Sequence, residues 1–324
     1  MNTNRPCGCK SFRTCYKCEA SISPDSNPYA SLTRSLRSSQ SGVFCVECES
    51  IYPGWELAAT CSDHPPPILQ SFSGIQIIPN FINHQEQEDL LKGLDSLPWD
   101  LSVSGRRKQN FGPRAKFNKR KAKNGPFSGF PACTEFVQKR FEEVDSLEGY
   151  QTVEQCSIEY QKNTGAWIEP HVDDCWIWGE RIVQLHVLSS SVLTLTKCRK
   201  AHKYNLKDVS LYPKVLSTDG QRVLYNPFKS VSSSSPSEPF EISEEVADGR
   251  TPLDVIRIPL PEQSLLVMSG GPRYQWEHSV LREDIHDERR VIIAYREFTP
   301  PFLPGGDKFG DVGRAVIENA RSFW

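Results

Sequence analysis

No stretch of this chain approaches the ~18 consecutive apolar residues that a membrane span needs, so no membrane partner is expected. The opening residues, Met1-Asn2-Thr3-Asn4-Arg5-Pro6-Cys7, lack the apolar centre of a secretory signal. That points to a reducing compartment, cytoplasmic and nuclear, where cysteines stay as thiols or metal ligands. An excess of either charge is also missing. Lys and Arg number 38 against 40 Asp and Glu, a net −2, which excludes a global attraction to nucleic acid or an anionic membrane. Any basic patch has to be local. The apolar fraction is only 38%, with 24 Pro and 20 Gly, which argues against a helical bundle and for strands and turns. At 324 residues the chain can form one large domain with an appendage, or two domains.

What the chain does have is cysteine, unevenly placed. Seven of its 11 fall before residue 62: Cys7, Cys9, Cys15, Cys18, Cys45, Cys48 and Cys61. Cys-x-Cys and Cys-x-x-Cys turns let two thiolates reach one ion, and two such turns complete a tetrahedral zinc site. Three pairings are open. Cys7, Cys9, Cys15 and Cys18 form one set; or Cys15/Cys18 join Cys45/Cys48; or two ions share the cluster. Cys61 stands apart beside Ser62-Asp63 and is expected not to be a ligand. The plain alternative is a disordered tail with free thiols. Residues 21–42 are rich in Ser and read as a linker. His64-Pro65-Pro66-Pro67 reads as a boundary. The expected division is 1–66 as a Cys-rich module and linker, 67–302 as the main domain and 303–324 as a C-terminal tail.

Beyond the boundary, Ile75, Ile77 and Ile78 mark a strand. Asn83-His84-Gln85-Glu86 is a capping-box pattern that opens a helix carrying Leu90, Leu91, Leu94 and Leu97, closed by Pro98. Residues 104–123 hold Arg106, Arg107, Lys108, Arg114, Lys116, Lys119, Arg120, Lys121 and Lys123 with Phe111 and Phe117 and no acidic residue. One reading is a solvated charged loop. The functional one is a substrate lid, with Arg106, Arg107, Lys108 and Phe111 as its leading residues, because cations attract phosphate or an acidic protein surface and aromatics stack or pack. A second helix is expected over 131–144, then strands near 153–160, 181–188, 192–196, 255–260, 264–268 and 290–296. Short strands with early helices predict a mainly β fold with flanking helices (α+β), a jelly-roll-like double sheet. Residues 197–254, with the Ser run 230–237 and acidic 241–245, read as a mobile insertion between core strands.

The chemistry centres on Pro170-His171-Val172-Asp173-Asp174. In an extended segment His171 and Asp173 share a face while Asp174 points the other way. Two His and one carboxylate with open positions is the non-haem Fe(II) oxygenase arrangement. His278, just past Gln275-Trp276-Glu277, is placed to return as the third ligand. In Arg290-Val-Ile-Ile-Ala-Tyr-Arg296, both arginines share one strand face and Arg289 lies on the other. Two buried guanidiniums are costly unless each finds an anion, and a dicarboxylate chelating iron supplies one at its far end.

These residues resemble the AlkB family of Fe(II)/2-oxoglutarate-dependent dioxygenases, most of all its alkB homolog 4 subgroup. The likeness rests on Cys7-Gly-Cys9-Lys10 with Arg13-Thr14-Cys15-x-x-Cys18, Ser104-Gly-Arg-Arg-Lys-Gln109, Pro170-His-Val-Asp-Asp174 with Trp176-Ile-Trp-Gly-Glu-Arg181, Gln275-Trp-x-His278, and Arg289-Arg-Val with Tyr295-Arg-Glu297. It implies a double-stranded β-helix (cupin-like) and iron on His171, Asp173 and His278. It implies 2-oxoglutarate held by Arg290 and Tyr160, with Arg296 facing the co-substrate and substrate pocket. It implies oxidative N-demethylation with molecular oxygen, giving succinate, CO2 and formaldehyde. The substrates implied are methyl-lysine on a protein, with actin or actomyosin as partner, and N6-methyladenine in DNA. Zinc on Cys7, Cys9, Cys15 and Cys18 is the further cofactor expectation. The family's Asn two residues before the tyrosine is Ile158 here, and the insertion lengthens the His171 to His278 interval. The rival from another class is a binding module with a dead barrel; intact His171, Asp173, His278 and Arg290 speak against it. His186 reads as a satisfied strand histidine, and Cys156 and Cys175 as small core residues.

Overall fold

The computed structural model describes residues 6–9, 15–23, 26–198, 204, 206, 209, 253–303, 306 and 309–324. Most of the 197–254 insertion therefore lies outside the described residues. Elements are numbered in chain order. One sheet contains β1 (Ser41–Phe44), β2 (Ile51–Pro53), β9 (Ile168–His171), β11 (Ser191–Lys197), β12 (Val255–Leu260) and β14 (Trp276–Val280), in the order β2-β1-β12-β11-β14-β9. The other contains β3 (Ile75–Ile78), β4 (Asp100–Leu101), β5 (Arg106–Phe111), β8 (Glu154–Gln161), β10 (Trp178–Leu188), β13 (Leu265–Met268) and β15 (Arg289–Phe298), in the order β3-β13-β10-β15-β8-β5-β4. A hairpin of β6 (Arg114–Lys116) and β7 (Lys121–Lys123) stands outside both. This is the double-stranded β-helix expected, mainly β with flanking helices.

Alternation along β15 shows why the layers form. Ile292 and its face join Ile182, Leu193, Leu195, Ile256, Ile258, Leu266 and Met268 in the core between the sheets. Val291, Ile293 and Tyr295, on the other face, join Leu90 and Leu94 of α3 (His84–Asp95), Val137 of α4 (Glu135–Arg140) and Phe141 in the turn after it. Apolar residues on both faces make β10 and β15 fully covered central strands, while α3 packs only the stripe that includes Leu90 and Leu94. The helix starts as its sequence predicts: the Asn83 side chain accepts from Glu86 N at 2.9 Å, and Glu86 accepts from Asn83 N at 2.9 Å. The expected second helix is shorter, one α turn flanked by 3-10 turns over 132–143. Among the described residues no helix is long and apolar enough to cross a membrane.

The structure corrects the expected division at both ends. The Ser-rich 21–42 stretch is no linker: Pro28–Arg37 is helix α2, after α1 (Tyr16–Glu19), and it runs into β1. Asn27 caps α2, its side chain accepting from Tyr29 N and Ala30 N, with Pro28 at the first position. Tyr29 and Leu36 are buried, Tyr29 edge-on to Trp167 at 5.0 Å and Leu36 against Val255 and Leu281. Serines between Tyr29, Leu32 and Leu36 hid a helical spacing. β1 pairs in parallel with β12, Ser41 opposite Val255, so a boundary at 66/67 cuts through one sheet. The 303–324 tail is core as well. Helix α6 (Gly310–Asn319) buries Val316 and Ile317, and Trp324 N donates to the Phe130 carbonyl at 3.0 Å.

Candidate active site

Strand pairing brings the motif together. β14 runs antiparallel to β9 with His278 directly opposite His171, and their ring centroids are 4.2 Å apart. The chain leaves β9 after His171, and Asp173 folds back over the pair. One ligand atom from each of His171, Asp173 and His278 lies within 4.8 Å of the others. His171 Nδ1 donates to the Glu169 carbonyl at 2.8 Å, which turns Nε2 toward Asp173 Oδ1, 3.6 Å away. Burial pushes the Asp173 carboxyl up, but the Arg296 charge, then the contact with His171, outweigh that and hold it well below the usual carboxylate range. Burial, with His171 beside it, holds His278 well below the ordinary imidazole value, so it is neutral as a ligand must be. Asp174 is exposed and is not among the three, as the alternation of faces predicts.

The two arginines of β15 differ. Arg296 donates from Nε to Asp173 Oδ2 at 2.9 Å and from Nη1 to Glu154 Oε2 at 2.7 Å. Its bonds go to protein carboxylates, and one of them fixes the carboxylate of the triad. Arg290 is fully buried and, among the described residues, has no carboxylate partner. Its Nη2 donates to His186 Nδ1 at 3.2 Å, while Nε and Nη1 find no hydrogen-bond partner among those residues. Tyr160, its cross-strand partner, lies with its ring 4.8 Å from the guanidinium. An unpaired buried cation costs on the order of several kcal/mol. Two unpaired donor nitrogens on a buried guanidinium are what an anionic ligand would satisfy. His186 is thus not a fully satisfied core histidine: Nδ1 accepts from Arg290, so the proton sits on Nε2, which lacks a partner.

Arg289 faces the other way, bonding Glu159 at 2.8 Å and Asp95 at 2.6 Å and 2.8 Å. Arg107 shares that buried Glu159 through two bonds, 2.6 and 2.8 Å. Arg107 is therefore no lid residue but half of an outer-face ion network. Arg106 is buried, its Nε donating to the Val103 carbonyl and its guanidinium 5.8 Å from Tyr160. With Lys108 it lies on the interior face of β5, a sheet strand where a loop was expected. Phe111 packs against Trp324 at 6.0 Å. The exposed cations sit on the β6-β7 hairpin: Arg114, Lys116, Lys119, Arg120, Lys121 and Lys123 are exposed, and Phe117 reaches Trp176 at 6.4 Å.

Sequence reasoning missed Arg273. It is fully buried in the short helix α5 (Gly270–Tyr274) and donates to the carbonyls of Asp173, Trp178 and Gly179, tying down the loop that carries Asp173. Three carbonyl acceptors leave no side-chain pattern to find. Tyr204, Leu206 and Val209 of the insertion pack with Val172, Cys175 and Tyr274 beside the same loop.

The cysteines separate cleanly. Cys7, Cys9, Cys15 and Cys18 place their sulfurs within 4.8 Å of one another, with Cys7 and Cys18 Sγ 3.4 Å apart, and Ser104 N donates to Cys9 Sγ at 3.2 Å. Cys45 and Cys48 meet Cys61 and His64 instead. Cys61 was expected to stand apart; the turn 61–63 carries it back onto the β1-β2 hairpin.

With this geometry in view, known proteins were compared. The human alpha-ketoglutarate-dependent dioxygenase alkB homolog 4 is 35% identical over 324 residues, 98% of this chain and 94% of that protein. The chain belongs to the alkB homolog 4 family of alpha-ketoglutarate-dependent dioxygenases. The mouse member of this family is 33% identical over 317 residues, 98% of this chain and 94% of its own. A Caenorhabditis elegans DNA N6-methyl adenine demethylase is 28% identical over 246 residues, 75% of this chain and 66% of that protein. Among solved structures, OsALKBH1 is similar with a TM-score of 0.40 and 10% identity, covering 70% of this chain and 97% of that one. No family model matches the chain. Membership of the alkB homolog 4 family makes the chain a 2-oxoglutarate-dependent dioxygenase, an oxidoreductase.

Proposed function

We propose that this enzyme removes N-methyl groups oxidatively, with iron on His171, Asp173 and His278 and the far carboxylate of 2-oxoglutarate on Arg290 beside Tyr160. The observation that carries the reading is the fully buried Arg290, with two donor groups that no protein atom among the described residues takes up, in the barrel whose rim holds the triad. When bound, iron with 2-oxoglutarate and oxygen supplies hydroxylation of a C–H bond. The chain's residues do the rest. His171 is aimed by the Glu169 carbonyl, Asp173 is gripped by Arg296, and burial keeps His278 unprotonated. Arg290 orients the co-substrate by a forked contact that a point charge cannot make. A hydroxylated N-methyl group then loses formaldehyde to leave the free amine.

The substrate we infer is methyl-lysine on an acidic protein surface of the actin type. The exposed cations of the β6-β7 hairpin suit an acidic protein surface, and Phe117 and Trp176 suit packing against it. A second reading, N6-methyladenine in DNA, is favoured by the name of the C. elegans relative and by the affinity of the same cations for phosphate. Zinc on Cys7, Cys9, Cys15 and Cys18 belongs to this reading as a brace for the turn at Ser104 that leads into β5. The test is to incubate the full chain with Fe(II), 2-oxoglutarate and either methyl-lysine peptides or N6-methyladenine oligonucleotides, and to measure formaldehyde and succinate. We expect formaldehyde in step with succinate for one of them, and none for Asp173→Ala. Succinate without formaldehyde on both substrates would overturn the demethylase reading and leave the dioxygenase standing.

A further inference from the structure

The second cysteine cluster is built from two segments that the fold brings to one edge of a sheet. β1 ends at Phe44, and the chain turns through Cys45-Val46-Glu47-Cys48 before β2 begins at Ile51. Glu49 N donates to the Cys45 carbonyl at 2.9 Å, Cys45 N to the Ser50 carbonyl at 2.9 Å, and Glu49 takes a left-handed backbone at φ 56°. This turn places both sulfurs on one side of the hairpin loop. The 61–63 turn closes on them. Thr60 and Asp63 cap it reciprocally, fixing the approach of Cys61, and His64 follows in extended backbone. The His64 ring stacks on Tyr52, centroids 4.6 Å apart and 3° from parallel, while the Tyr52 hydroxyl accepts from Ala58 N at 2.7 Å.

The orientation of His64 is what gives the cluster a purpose. Its Nδ1 donates to the Pro65 carbonyl at 2.8 Å, which makes Nε2 the nitrogen turned toward the sulfurs. It faces Cys48 Sγ at 3.5 Å and Cys61 Sγ at 3.6 Å. A thiol is a weak donor, and three thiols with one imidazole cannot all pair as disulfides; all three cysteines are free. All four ligand atoms lie within 4.8 Å of one another. A tetrahedral zinc with Zn–S of about 2.3 Å needs sulfurs roughly 3.8 Å apart, the spacing this cluster approaches. Three thiolates and an imidazole also choose zinc over the hard cations.

We propose that Cys45, Cys48, Cys61 and His64 form a structural zinc site, distinct from both the Cys7–Cys18 quartet and the His171/Asp173/His278 triad. With four protein ligands it is closed, so its role is to hold β1, β2 and the 61–64 turn together at the sheet edge. Binding releases whatever protons the three sulfurs and the imidazole Nε2 still hold and changes no oxidation state.

The test uses the full chain, purified under reducing conditions and freed of loosely held metal, with zinc per chain measured by elemental analysis. Cys45→Ser/Cys48→Ser should lose one zinc equivalent relative to the unsubstituted protein, and Cys7→Ser/Cys9→Ser should keep the zinc held by this cluster. Should the first variant fail to fold, His64→Cys keeps the experiment decisive. In the cobalt(II)-loaded protein it adds a fourth thiolate, so the thiolate-to-metal absorption should strengthen and the visible bands should shift. An undiminished zinc content in Cys45→Ser/Cys48→Ser, or a cobalt spectrum unchanged by His64→Cys, overturns the proposal.

Discussion

Arg290 and Arg296 leave the same face of β15, one toward each end, and their surroundings are opposite. Arg296 meets two carboxylates, Asp173 and Glu154. Arg290, more deeply buried, meets a neutral histidine and a tyrosine ring and, among the described residues, no carboxylate partner. The lesson is that burial alone does not assign a role to an arginine; its anions do. A guanidinium neutralised by protein carboxylates holds those carboxylates in place. One left in deficit inside a packed barrel is waiting for a ligand to bring the charge.

The contrast can be broken by substitution, and the largest effect is expected at Arg290. Removing one partner of a desolvated bidentate ion pair costs about 2–5 kcal/mol, so Arg290→Ala should weaken 2-oxoglutarate binding by about thirtyfold or more in a titration. Arg290→Lys should recover part of that, because an ammonium cannot fork onto a carboxylate. Arg296→Ala should act elsewhere. Releasing a group that orients a metal ligand lowers metal affinity by about 10–100-fold, and iron titration should show this with a much smaller change for 2-oxoglutarate. Equal losses of 2-oxoglutarate affinity in both variants would erase the distinction.

Arg289 supplies the control on the opposite face. Arg289→Ala should leave 2-oxoglutarate affinity unchanged and lower stability by about 1–2 kcal/mol in a urea titration, a charge-assisted bond discounted for partial exposure. Glu159 keeps Arg107 in that variant, which limits the damage. The smallest effect is on pH. The bond from Arg289 lowers the Asp95 carboxyl below its ordinary value. A depressed folded value means the stabilisation is complete above the unfolded pKa of about 3.9 and is lost as pH falls from there through the lower folded value. In melting curves taken across that range, Arg289→Ala should show a shallower acid-side loss than the unsubstituted protein.

Much of this site was legible because it depends on local periodicity. The alternation of Arg290, Ile292, Ala294 and Arg296 assigns a face without any tertiary knowledge, and His171-x-Asp173 puts two groups on one side of an extended segment. The partners were not legible. Glu154 lies in another strand and reaches Arg296 only through the β8-β15 register. Arg273 uses main-chain carbonyls, which every residue has. Cys61 and His64 were separated from Cys45 and Cys48 by a loop whose return depends on the 60–63 cap, so a spacing rule written for adjacent pairs passed over them. Helix α2 was hidden by composition: Ser-rich segments read as linkers, yet Asn27-Pro28 is a start signal and Tyr29, Leu32 and Leu36 fall on one stripe.

The parallel pairing of β1 with β12 has a consequence for how the chain is made. About 210 residues separate Ser41 from Val255 opposite it. At about 5–20 residues per second, the amino-terminal hairpin leaves the ribosome roughly ten to forty seconds before the strand it must join. Through that interval β1 offers an open edge to any passing chain. Its brevity, four residues against three in β2, keeps that edge a poor template. The same geometry works in reverse on a shortened protein. A barrel produced from residue 67 onward would bare the flank of β12, where Arg257 and four buried aliphatic residues stand. Such a fragment should self-associate even though it retains every residue of the triad.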